Sequence, residues 1–107
     1  MDPVYKLLHE MKKRPGMYFG EKHFERLYFF IQGYKYRIME DSTNPLSHQR
    51  NSLDEIYEIV NSHYNAPGNR GWQEVILQNT NSQEEAFDKF FELFDIFLDQ
   101  KGISPDM

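Results

Sequence analysis

Four histidines (His9, His23, His48 and His63) and seventeen carboxylates are the side chains with the most chemical potential in this chain. Metal ligation from a helix needs ligands three or four positions apart. No two of the histidines stand at that spacing, and His9-Glu10 and His23-x-Glu25 match neither a zincin nor a di-iron pattern. Cysteine is absent, which excludes thiolate catalysis, disulfides and cysteine-ligated zinc. No Gly-x-Ser-x-Gly elbow, Walker loop or Gly-x-Gly-x-x-Gly phosphate cradle occurs. These residues point to binding rather than catalysis, with no cofactor and no metal.

The charges are unevenly placed. Residues 1–50 carry +3 and residues 51–107 carry −8, for a net −5. Phosphate recognition depends on Lys and Arg, so the acidic half argues against nucleic acid or an anionic membrane as ligand and suits a basic protein partner. No apolar run approaches the ~20 residues that span a bilayer. Met1-Asp2-Pro3-Val4 does not begin a secretory signal, and a reducing cytosol is the natural compartment.

The periodicity predicts an all-α fold, a single domain over residues 1–107 built as an antiparallel bundle of about five helices. Asp2 caps the first helix, with Val4, Leu7, Leu8 and Met11 on its apolar face and Pro15-Gly16 as its stop. A second helix over 21–40 carries Phe24, Leu27, Tyr28, Ile31, Tyr34 and Ile38 inward, and its Gly33 is read as a point of close helix–helix approach. Residues 41–51 read as the longest loop. Ser52-Leu53-Asp54-Glu55 then reads as a capping box opening a third helix with Leu53, Ile56, Tyr57, Val60 and Tyr64. A short helix over 72–78 buries Trp72, Val75 and Ile76, a strand at 75–77 being the alternative. A second capping box, Ser82-Gln83-Glu84-Glu85, opens the last helix. Its phenylalanines at 87, 90, 91, 94 and 97 are core, and Gly102 is its C-cap.

One local motif stands out: Arg14-Pro15-Gly16-Met17-Tyr18-Phe19-Gly20. It resembles the segment near the N-terminus of the ATPase domain of the DNA gyrase B subunit. The helix after it, Leu27-Tyr28-Phe29-Phe30-Ile31-Gln32-Gly33-Tyr34, lacks the asparagine and glutamate that serve Mg-ATP in such domains. The turn therefore reads as architecture, in which Pro15 and Gly16 break the helix while Met17 and Tyr18 plug the core. Taken with a helix ending Phe30-Ile31-Gln32-Gly33-Tyr34, with Gly71-Trp72 and with the closing Glu85-Ala86-Phe87-Asp88-Lys89-Phe90-Phe91-Glu92-Leu93-Phe94, the chain is similar to small bacterial proteins that look like immunity proteins of polymorphic or contact-dependent toxin systems. That resemblance implies binding and neutralising a cognate toxin in the producing cell's cytosol, and the acidic second half suits a basic one.

On the last helix Glu84, Asp88, Glu92, Asp95 and Asp99 follow at four, four, three and four residues and form one stripe opposite the phenylalanines. Asp54, Glu55 and Glu58 extend the acidic surface. Such a stripe suits the basic cleft of a nuclease toxin, with electrostatically steered association; the plainer alternative is a solvated helix face. Other readings are an acidic interaction subunit, a phage-type inhibitor of a nucleic-acid enzyme, and a nucleotide-binding fragment.

Overall fold

The computed structural model describes residues 3–40, 49–65 and 71–104, and every regular element in them is helical. In chain order these are α1 (Pro3–Lys13), α2 (Pro15–Phe19), α3 (Phe24–Glu40), α4 (Gln49–His63), α5 (Trp72–Gln78) and α6 (Gln83–Lys101). Among the described residues no helix is long and apolar enough to cross a membrane.

The core is organised around α6, whose Ala86, Phe87, Phe90, Phe91, Leu93, Phe94, Phe97 and Leu98 are all buried. Three- and four-residue spacing keeps these side chains on one side of the helix. Tyr5 of α1 meets Phe94 and Phe97 with ring centroids 6.2 and 5.5 Å apart. Phe19 of α2 meets Phe87 at 6.1 Å. Phe24 of α3, Trp72 of α5 and Phe90 form a triangle with centroids 5.4–6.3 Å apart. Tyr57 of α4 stacks on Trp72 at 4.7 Å, nearly parallel. Aromatic pairs of this kind add about 0.5–1.5 kcal/mol each beyond the area they bury. The five other helices are thus held to α6 by rings, directly or through Trp72.

The ends of α6 follow the local chemistry of the sequence. Ser82 Oγ accepts from the Glu85 N–H at 3.0 Å, and the Glu85 carboxylate reaches back to the Asn81 N–H rather than to that of Ser82. Gly102, at φ 69°, takes the left-handed conformation that glycine favours, and the Ile103 N–H bonds the Leu98 carbonyl at 2.9 Å. The 72–78 helix is present with Trp72, Val75 and Ile76 buried, so 75–77 is not a strand.

Other expectations change. The Pro15–Phe19 connector is itself a turn of helix, closed by a Gly20 N–H to Gly16 carbonyl bond and by the Arg26 guanidinium on the Phe19 carbonyl at 2.7 Å. Side chains on one helical turn fan out by about 100° each, so only one of three neighbours can face the core. Phe19 is that residue; Met17 and Tyr18, expected to plug the core, are exposed. α3 starts at Phe24 rather than at 21 because His23 caps it, accepting from the Arg26 N–H at Nδ1. α4 starts at Gln49, which places Ser52 inside the helix, where it cannot serve as N-cap. Asn65, at φ 54°, ends α4. A Cβ on Gly33 would meet nothing within 4 Å among the described residues, so none of the described helices makes a close approach there. The Asp2 cap and residues 41–48 lie outside the described residues, as do the side chains of Ile38, Ser52 and Leu53.

Candidate functional site

The acidic stripe of α6 faces away from the core as its spacing predicts. Glu84, Asp88, Glu92 and Asp99 are exposed and Asp95 is half-buried. Much of this charge is answered within the molecule. Lys12 of α1 lies 2.6 Å from Asp95, and Lys22, between α2 and α3, lies 3.1 Å from Asp88. Lys89, one turn away, binds Glu92 at 2.9 Å. That hydrogen bond holds the Glu92 carboxyl below the usual carboxylate range and raises the Lys89 ammonium. A surface cleft of about 340 Å³ runs here, with Phe87 and Phe91 as its floor and Lys12 and Lys22 facing Asp88, Glu92 and Asp95. It is a mixed-charge groove, where the sequence pattern predicted a purely acidic strip.

The α4 carboxylates show the same compensation. Asp54 pairs with Lys35 of α3 at 3.3 Å, and Glu55 pairs with Lys101 of α6 at 3.2 Å. Glu58 joins Glu55 and Lys101 around a second cleft, of about 370 Å³, with Ile59 and Phe97 on its walls. The basic first half of the sequence has folded against the acidic second half. Across α4–α6, Glu58, Glu74, Glu84, Glu85 and Asp99 have no ion pair among the described residues.

The inward side of α4 carries polar atoms with no such answer. The Tyr57 and Tyr64 hydroxyls and Asn61 Oδ1 recur at four- and three-residue spacing, buried and without a hydrogen-bond partner among the described residues. Burial pushes the Tyr57 hydroxyl well above the ordinary phenol range, and the Asp54 carboxylate adds to the shift. Tyr64 is raised as well, chiefly by burial. A protonated, unpartnered phenol against a tryptophan is a packing element and not a proton donor to solvent.

The Arg14–Gly20 motif is an exposed turn anchored by Phe19. Arg14, Gly16, Met17, Tyr18 and Gly20 are exposed and Pro15 is half-buried. A further feature lies next to it, on the outer side of α3. Phe29 and Tyr36 are 64 % and 63 % exposed and Phe30 is 40 % exposed. Phe29 and Tyr36 fall outside the helical spacing of the inward set Phe24, Leu27, Tyr28, Ile31 and Tyr34, Phe30 lies beside it, and the structure leaves all three exposed.

Among the described residues no group of three or more His, Asp or Glu side chains is placed to hold a metal ion. Comparison with known protein families, curated proteins and solved structures returns no match to this chain.

Proposed function

We propose that this chain is a protein-binding module, acting as an immunity protein that holds and neutralises a cognate bacterial toxin of basic character, in the cytoplasm and without catalysis. The observation that carries this reading is the acidic surplus that survives internal pairing. Five carboxylates on α4–α6 have no ion pair among the described residues, while Lys12, Lys22, Lys35, Lys89 and Lys101 are already engaged. A field of one sign raises the encounter rate with an oppositely charged protein and makes that rate fall with salt. The resemblance to immunity proteins, carried by Arg14–Gly20 together with Gly71-Trp72 and residues 85–94, supplies the toxin as the class of partner.

Internal pairing sharpens which residues act. Glu58, Glu84 and Asp99 contribute most to attraction, and Asp88 and Asp95, tied to Lys22 and Lys12, contribute least. The reading predicts a toxin gene beside this one, and co-expression with its product tests it. Restored growth is the expected result, lost when Glu58, Glu84 and Asp99 are together changed to Lys. Growth arrest that the wild-type chain does not relieve contradicts it.

A further inference from the structure

α4 and α6 run antiparallel along a shared seam. Glu55, early in α4, meets Lys101 at the end of α6, while His63, at the end of α4, shares a cleft with Leu93 and Ile96. Two clefts lie on this seam. The first is the Glu55–Glu58–Lys101 cleft of about 370 Å³, and the second, of about 410 Å³, reaches His63 and Ile96. Ile59 and Ser62 line both, so the two clefts form one groove among the described residues. At 1.5 Å per residue the stretch from Glu55 to His63 follows about 12 Å of helix axis, roughly two turns.

The two ends of the groove differ. The second cleft has buried Leu93 beneath it, and no carboxylate lines it among the described residues. Ile96 stands at its edge, 41 % exposed, the one large apolar side chain of α6 that folding leaves outside. The first cleft already holds a cation. The Lys101 ammonium lies 3.2 Å from the Glu55 carboxylate and 5.8 Å from the centre of the Phe97 ring, and carboxylate and ring face both attract it. Lys101 answers only one of two carboxylates. Glu58 is exposed and has no ion pair among the described residues, which leaves this end with one negative charge in surplus.

We propose that the α4–α6 groove is the docking site for the toxin and that its occupant is a basic amphipathic helix. This rests on the immunity reading and gives it a surface. A helix laid along the seam presents side chains to it at every third or fourth position. Charge sets its direction. A Lys or Arg of the partner meets Glu58, and bulky aliphatic side chains about four and seven positions further on cover Ile59 and Ile96. The acidic stripe on the other side of α6 lacks this combination, because Lys12 and Lys22 already stand over its apolar floor.

A groove depends on position, whereas a long-range field depends on charge alone, and four variants separate the two. Glu58→Lys and Glu84→Lys change the charge equally, but only Glu58 lines the groove. Ile96→Asp adds negative charge, so attraction by field alone makes binding tighter and loss of the groove makes it weaker. Ser62→Trp leaves the charge unchanged and fills the groove from an exposed position common to both clefts.

The test measures association and dissociation rates against the product of the neighbouring toxin gene, with circular dichroism confirming that each variant is folded. Glu58→Lys is expected to weaken the complex at least about ten-fold more than Glu84→Lys. Ile96→Asp and Ser62→Trp are each expected to weaken it about ten-fold or more, chiefly through faster dissociation. A wild-type complex that Ile96→Asp and Ser62→Trp leave intact overturns the groove and spares the immunity reading. Equal losses from Glu58→Lys and Glu84→Lys also overturn the groove, since a field then accounts for both. A wild-type chain that binds no neighbouring gene product overturns the immunity reading and the groove with it.

Discussion

α3 and α6 are the two longest helices, 17 and 19 residues, and both bury one side in the same aromatic core. Their outer sides differ. α6 shows carboxylates, three of them held by lysines, two of those from distant parts of the chain. α3 shows the exposed rings of Phe29, Phe30 and Tyr36, and a glycine with open space around it among the described residues. A charge stripe is thus a weak guide to a binding face, because folding can consume the charge internally. Exposed rings are a stronger one, because water offers them no comparable partner.

The largest test concerns what the two helices share. Phe24→Ala on α3 and Phe94→Ala on α6 each remove a fully buried ring, and each is expected to lower stability by about 3–5 kcal/mol in denaturant unfolding. Phe29→Ala, on the outer side of α3, is expected to change monomer stability by less than about 0.5 kcal/mol. An equal loss at position 29 would remove the distinction between the two sides of α3.

Tyr57→Phe is the next effect down and has the opposite sign. Removing a buried hydroxyl without a partner is expected to stabilise the fold by about 1 kcal/mol. The phenol has a raised pKa when folded, so its contribution is fully present below the unfolded value of about 10 and is lost as pH rises beyond it. Wild type is expected to lose stability above pH ~10 more steeply than Tyr57→Phe. Parallel alkaline profiles would contradict this account of the α4 inner side.

The smallest effect is at the α6 outer side. Lys12 and Asp95 are both substantially exposed, and a double-mutant cycle on the pair is expected to give less than about 1 kcal/mol, falling further with salt. A larger coupling would mean that the acidic stripe is built chiefly for stability.

Periodicity alone located α1, α3, α5 and α6, because an apolar residue every three or four positions has one stable arrangement in water. The end of α6 was legible for a local reason, since Gly102 acts within its own turn. Ser52 misled because a capping sequence inside a longer helix looks the same as one at its start. Met17 and Tyr18 misled because composition says that an apolar turn packs, without saying which of three neighbours points inward. The candidate surfaces were the least legible part. The Lys12–Asp95 contact joins residues 83 positions apart, and no local pattern in either segment announces it. Phe29 and Tyr36 of α3, by contrast, fall outside the spacing of its inward set, so their side of the helix was legible while their neighbours were not.

Isothermal titration with a candidate toxin, sought among the products of neighbouring genes, tests the central claim most directly, carried out on wild type, on Phe29→Asp and on the Glu58, Glu84, Asp99 triple lysine variant. The account predicts a tight complex that weakens with salt, is kept in Phe29→Asp and is weakened at least about ten-fold in the triple variant. Absence of binding by wild type, or a complex lost in Phe29→Asp and untouched in the triple variant, would contradict it.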